Sequence, residues 1–528
     1  MKRRQFLKTT APAVLLPGLL HNIPLKAYAE NPFLNSITQA QNETDRVLVM
    51  VFLNGGNDGL NTVLPLNQYS NLAAARNNIL IPQNQALTLN GYPNTGLHPS
   101  MTGMRDLFNQ GKMQIIQSVG YPQPDFSHFR STDIWLSASD SDEYLTNGWI
   151  GRYLDSEFPG FPTGYPNSVM PDPLAISIGA NVPLLFQGQN AQMGLTASGN
   201  IFDQWNTGLN DPAPAGYAGD ELSYVRMISG QTQSYGSQIL QALINQPTNG
   251  NFYPPLAEGN YLAEELKFVA RAIKGGLKTR IYLVSLYGFD THASQAVSGS
   301  PTTGNHADLL KHLSKALKGF QDDIGAMGIE DRVLTMVFSE FGRRIKSNAS
   351  LGTDHGAAAP MFIVGNQLNS GILGANPTIN SSVNIGDNLP MQYDFRSVYA
   401  SILNQWFCVP DPVLQSIITH PYQSLPIVEP ACVTGIEEVH SMEQALGLKV
   451  YPNPMVESAY IEFDIFDGYT RLELFDPLGR LMKVFAQSEM KKGSYKVYFQ
   501  NENYAPGNYF IRLQNGALQR TENVIVSR

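Results

Sequence analysis

Cysteine is nearly absent from this chain of 528 residues, which carries only Cys408 and Cys432. Neither stands in a metal-ligand or redox spacing, so a zinc ribbon, a thiol redox centre and a disulfide-built scaffold are excluded. The two could close one bridge after export, but two unpaired thiols is the reading their positions favour. Charge is also scarce, at 15% of residues, with a formal net charge of -9 and no basic block beyond the first residues. Nucleic acid is therefore not an expected partner, because phosphate binding needs clustered Lys and Arg. Long apolar runs are missing too. The one near the N-terminus is too short to span a bilayer as a mature helix, and no other is long enough, so the mature protein is expected to have no transmembrane span. Gly, Pro, Asn, Tyr and Phe are plentiful, and the length allows two or three domains around a large core.

The N-terminus reads as a targeting segment over residues 1–29. Lys2-Arg-Arg-Gln-Phe-Leu-Lys8 precedes an apolar run through Leu20 and an Ala27-Tyr-Ala29 cleavage pattern. The paired Arg3 and Arg4 resemble a twin-arginine export signal, although Lys2 stands where Ser or Thr is usual. Residues 30–46 read as a spacer.

Two apolar runs organise the body of the chain, Ile281–Leu286 and Val333–Phe338. Both are rich in Val, Ile and Leu without polar alternation, the pattern of strands buried on both faces of a parallel sheet. Between them Leu310, Leu313, Leu317, Phe320 and Ile324 recur at helical spacing. The expected fold is thus α/β over residues 47–425, a doubly wound and mostly parallel sheet with helices on both faces. Val47–Leu53, Met113–Val119, Leu174–Ile178 and Met361–Val364 supply further strands. A helix after His98-Pro-Ser100, capped by Ser100, and helices near 262–273 and 399–407 supply the cover. Residues 155–260 are weakly patterned and read as an insertion. After a linker at 426–447, short alternating strands separated by turn signals predict a small all-β, immunoglobulin-like sandwich over 448–528.

In open α/β sheets, ligands bind at the carboxyl ends of the strands. Asp58 follows the first strand, although Asn54–Gly59 taken alone reads as a turn. Asp290 and His292 follow the run at 281, and Glu340 and Arg343 follow the run at 333, with His355 shortly after. Ser127 and His128 stand at a helix start after the strand at 113, where Ser127 is either an oxygen nucleophile beside a helix N-terminus or an N-cap.

Two resemblances extend this reading. Val450-Tyr-Pro-Asn-Pro454, Leu474–Arg480, Gly493-Ser-Tyr495 and Ala505–Tyr509 resemble the C-terminal sorting domain of the type IX secretion system of Bacteroidetes. That resemblance implies passage through the outer membrane to the cell surface or the medium, with the export machinery and that secretion system as partners. Phe52–Asn61, Phe126-Ser-His-Phe129, Gly288–His292, Ser339–Arg343 and Thr353–Gly356 resemble a family of exported bacterial proteins of unknown function, itself similar to the alkaline phosphatase and sulfatase superfamily. It implies one or two divalent metals, zinc, manganese or magnesium, held by Asp58, Asp290, His292, Glu340 and His355. Ser127 is then the nucleophile, with His128 or Arg343 stabilising developing charge. Phe341 stands where the superfamily usually has His, and Asp290 and His292 are closer together than usual. Ser127-His-Phe-Arg130 also departs from the formylglycine pattern of sulfatases, which disfavours that route. The expected function is a metal-dependent hydrolase of phosphate or related esters, with a small-molecule or glycan ester as substrate. The alternative is a non-catalytic, glycan-binding surface protein with a degenerate metal site.

Overall fold

The computed structural model describes residues 45–179, 183–197, 217–246, 250–429, 446–476, 480–501, 504–515 and 518–527. The targeting segment, Cys432 and most of the spacer and linker lie outside these residues. The chain divides into two compact units, before and after residues 432–433.

The first unit is built on a nine-stranded sheet. Its strands are β1 (Val47–Asn54), β2 (Met113–Gly120), β3 (Ala175–Ile178), β4 (Leu195–Ala197), β5 (Ile281–Tyr287), β6 (Val333–Phe338), β7 (Ala359–Val364), β8 (Gly371–Leu373) and β9 (Tyr393–Asp394). They run in the order β8-β2-β7-β6-β1-β5-β3-β4, with β9 beside β2. All neighbours are parallel except β7, which is antiparallel to both β6 and β2. The sheet is thus mixed but mostly parallel, as its unbroken apolar runs require.

Alternation along β1 divides the core. Val47, Val49, Val51 and Leu53 pack with helices α1 (Thr102–Asn109), α4 (Tyr261–Lys274) and α5 (Asn305–Ala326). Leu48, Met50 and Phe52 pack on the other face with α2 (His128–Ser137), α3 (Trp149–Glu157) and α6 (Phe395–Gln405). On that second face Trp149 stacks on Tyr399 with centroids 4.2 Å apart, and Trp135 on Phe395 at 4.5 Å. Each such buried side chain contributes roughly 1.5–3 kcal/mol of transfer free energy.

Three expectations are corrected. The helix after His98 is capped by Met101 rather than Ser100, whose backbone N–H donates to His98 Nδ1 instead. The weakly patterned segment read as an insertion, with no helix expected in it before residue 262, contains a 29-residue helix, Tyr217–Asn245, whose Gly and Ser content weakens the helical period. Cys408 is disulfide-bonded, against the reading of two free thiols.

The second unit is all β. Leu448–Tyr451, Ser458–Ile465 and Gly493–Gln500 form one sheet, and Gly468–Phe475, Leu481–Met490, Gly507–Asn515 and Leu518–Val526 form the other. Side chains from both, among them Ile461, Phe463, Leu472, Phe499, Ile511 and Val524, share one core.

Candidate metal centre

Parallel register brings the candidate residues together. Asn54 lies beside Tyr287 across β1 and β5, and Phe52 beside Phe338 across β1 and β6. The segments that leave these three strands therefore emerge side by side from the same edge of the sheet. Gly55 follows β1 at φ +120, and a Cβ built on it would lie 2.2 Å from the Asp290 backbone nitrogen. Only glycine permits that approach. Gly55→Ala is expected to cost at least ~2 kcal/mol, read as a lowered denaturation midpoint, because both the torsion and the clash must relax.

Arg343 ties these segments from beneath. It is buried, donating Nε–H to Gly56 O at 2.8 Å, Nη1–H to Thr353 O at 2.8 Å, and Nη2–H to Phe289 O at 3.0 Å and to Gly55 O. Nη2 also meets Asp290 Oδ1 at 2.8 Å. Its guanidinium is committed to these carbonyls and this carboxylate, so it positions Asp290 rather than facing a substrate. Burial alone would push the Asp290 carboxyl up, but the hydrogen bond and charge of Arg343 outweigh it and hold the group below its ordinary value.

Around Asp290 three imidazoles converge. His355 Nε2 lies 3.1 Å and His292 Nε2 3.2 Å from Asp290 Oδ1, and His128 Nε2 lies 3.4 Å from Oδ2. The two ring nitrogens His292 Nε2 and His355 Nε2 are 2.9 Å apart. Ligand atoms of His128, Asp290 and His355 all fall within 4.8 Å of one another.

The opposite ring nitrogens decide what these atoms can be. Each Nδ1 faces an acceptor that has no proton to give: the Glu340 carboxylate for His128 at 2.8 Å, the Asp354 carboxylate for His292 at 3.1 Å, and the Phe126 carbonyl for His355 at 2.7 Å. A neutral imidazole carries one N–H, and in the neutral rings these acceptors draw it to Nδ1 and turn the Nε2 lone pair toward Asp290. In that neutral state three lone pairs and a carboxylate face one another, and His128 Nε2 is buried with no hydrogen-bond partner among the described residues. Acceptors gathered this way are relieved by a positive charge between them, either a proton on a ring nitrogen or a metal ion. Imidazole nitrogen with one carboxylate suits a zinc-class ion better than the all-oxygen preference of magnesium or calcium. The residues present fit a divalent metal.

The remaining candidates lie elsewhere. Asp58, expected as a ligand, is wholly buried against Arg76, whose Nη1 meets its oxygens at 2.9 and 2.8 Å, while Gln295 Nε2 donates at 2.6 Å. With both oxygens so engaged it is outside the cluster. Glu340 is also fully buried, and its oxygens accept from Gly55 N at 2.9 Å, Gly56 N at 3.3 Å and Ser339 Oγ at 3.1 Å besides His128. It stands behind His128 rather than beside it. His128, expected to stabilise charge, instead joins the ligand atoms. Ser127 is exposed, and its hydroxyl makes no cap bond to α2. Its chain neighbours Phe126 and His128 both touch the cluster. Asp354 is a participant that sequence reasoning misses. In a strand, adjacent side chains diverge, so the choice of His355 argues against its neighbour, and no spacing shows that His292 is there to meet it.

Fold and site together define a doubly wound α/β protein with a histidine-rich, carboxylate-anchored centre at the carboxyl edge of its sheet, followed by an all-β unit. Residues 269–418 match the family described as protein of unknown function (DUF1501), and residues 449–527 match the secretion system C-terminal sorting domain. The first match includes Asp290, His292, Glu340, Arg343, Asp354 and His355. The second is a type IX sorting domain, so the chain is directed to the cell surface or the extracellular space. No helix among the described residues is long and apolar enough to cross a membrane. No curated protein matches the chain. Among solved structures, an alkaline phosphatase superfamily protein from Vibrio parahaemolyticus is 10% identical over 91% of this chain and 83% of that one, with a TM-score of 0.31. A putative sulfatase from Bacteroides fragilis is 8% identical over 88% of this chain and 91% of that one, with a TM-score of 0.30. The chain spans only 12% of PorZ, a surface component of the type IX secretion system of Porphyromonas gingivalis, at 20% identity over 16% of its own length and a TM-score of 0.13. At these scores the three structures carry no inference about activity.

Proposed function

We propose that the protein is an exported, metal-dependent hydrolase of phosphate or related esters. The observation that carries this reading is the convergence of the His128, His292 and His355 Nε2 atoms on the Asp290 carboxylate. His128, His292, His355 and Asp290 would hold the ion. A zinc-class ion, when bound, supplies Lewis-acid polarisation of an ester oxygen.

The chain's own groups complete the reading. Ser127 presents an exposed hydroxyl at the N-terminus of the ten-residue α2, where free backbone N–H groups favour a negative charge. In the proposed reaction Ser127 Oγ bonds to the ester phosphorus as the bond to the alcohol oxygen breaks. The alcohol leaves, and water then releases the phosphate from the serine. His128 follows Ser127 directly, so ligation of His128 fixes the serine backbone beside the centre. The exposure of Ser127 suits a substrate arriving from solvent.

The test is turnover of aryl phosphate and phosphonate esters by the metal-loaded protein and its Ser127→Ala variant. Ser127→Ala should retain its metal and lose at least ~10³-fold in kcat, as removal of an essential nucleophile does. A metal-loaded wild type that hydrolyses none of these esters would favour the surface-binding alternative.

A further inference from the structure

Resting on the metal-centre reading, we infer that Glu340 and Asp354 are the carboxylates that set the histidine tautomers of this centre, and that neither is a ligand. Both carboxylates meet an Nδ1, at 2.8 Å on His128 and 3.1 Å on His292, on the side of each ring opposite the Nε2 that approaches Asp290. Such an outer partner keeps the N–H on the far side of the ring, orients the ring, and makes the facing nitrogen more basic toward an ion.

The two carboxylates are themselves held. Glu340 is buried among Gly55 N–H, Gly56 N–H and the Ser339 hydroxyl, and Ser339 Oγ is tied to Leu53 O at 2.6 Å. It is thus part of the strand-end architecture, and exchanging it would disturb the fold. Asp354 is different. Its side chain is 43% exposed, and one amide, Asn348 Nδ2, donates to its Oδ1 at 3.2 Å and to His292 O at 2.8 Å. Asn348 therefore braces both the acceptor and the backbone of the histidine it orients. His355 uses a backbone carbonyl for the same purpose, so its tautomer does not depend on any side chain. The three rings are consequently locked by two carboxylates and one backbone carbonyl, and only the lock on His292 can be removed from a partly exposed position.

Asp354→Ala and Asp354→Asn variants of the full mature chain separate this role from a structural one. Cobalt(II) is the probe, with affinity measured by titration and the ligand field by its visible absorption. Asp354→Ala is expected to bind cobalt about 10–100-fold more weakly, while its metal-free melting temperature stays near that of the wild type. Asp354→Asn keeps an acceptor oxygen and should recover part of the affinity. If both variants bind as tightly as the wild type with an unchanged spectrum, the tautomer-setting role of Asp354 is overturned. If Asp354→Ala instead loses metal entirely and the wild-type spectrum shows an added oxygen ligand, Asp354 is a ligand and the inference fails. A wild type that binds no cobalt overturns the metal-centre reading itself, a result distinct from both.

Discussion

His355→Ala is expected to lower metal affinity by well over 100-fold, leaving a folded protein with no ion retained through gel filtration. The size follows from position. Loss of an outer partner alone costs about 10–100-fold, and His355 is the ring that meets both Asp290 and His292 in the centre. His292→Ala should behave likewise. The measurement is metal content by mass spectrometry after zinc or manganese reconstitution, beside a thermal melt to show that the variants fold. Folding should survive, because His355 lies on the short hairpin formed by Gly342–Ser347 and Thr353–Gly356 and belongs to neither of the apolar clusters that cover the sheet. A wild type that stays metal-free after reconstitution would remove the basis of the hydrolase reading.

Arg76→Met should produce the largest loss of stability. Arg76 and Asp58 are 0% and 1% exposed, and Arg76 also donates to the Arg344 and Ile345 carbonyls. Truncation leaves a buried carboxylate without its counter-charge, an event that costs about 3–5 kcal/mol, or roughly 4–6 °C in melting temperature for a unit of this size. The double variant Asp58→Leu, Arg76→Met should lose less than the single one, because no orphan charge remains. The pH dependence has a definite sign. Burial pushes the Asp58 carboxyl up, but Arg76 and the bond from Gln295 outweigh it and hold the group below its ordinary value. A carboxyl made more acidic by folding adds stability above its unfolded value near pH ~4, and that stability is lost as pH falls through the folded value. Acid unfolding of the wild type should therefore be blunted in the double variant.

These two expectations concern residues that the sequence treats very differently. His292 is legible as a candidate because it follows an apolar run by a few residues, and strand ends are where such sheets bind ligands, while His355 is legible from the Thr353-Asp-His-Gly356 motif downstream of the second run. The buried strands are legible for a similar reason: a run such as Val47–Leu53 has too little polarity to be anything but covered on both sides. The long helix at Tyr217–Asn245 is not, because its Gly and Ser residues blur the period from which helices are read. Arg76 carries no signal at all. It sits in a short helix, Tyr69–Arg76, with no motif around it, and its importance comes entirely from the carboxylate it meets 18 residues away.

The amino-acid sequence by itself determined the α/β class, the separate all-β unit, the export address and the strand ends at which chemistry is placed. Each of these rests on local pattern: apolar periodicity, turn residues and motifs contiguous in the chain. Only the tertiary structure decided which acidic residue does what. Asp58, Asp290, Glu340 and Asp354 all follow or adjoin strands, and nothing in their spacing separates them. Their roles are set by what each oxygen meets across the fold. Asp58 finds an arginine and is buried with it, Glu340 and Asp354 find the Nδ1 atoms of two imidazoles and orient them, and Asp290, braced by Arg343, faces the Nε2 atoms of three. A carboxylate's function depends on the charge and protons of its neighbours, and those neighbours are assembled only when parallel strands bring distant segments to one edge.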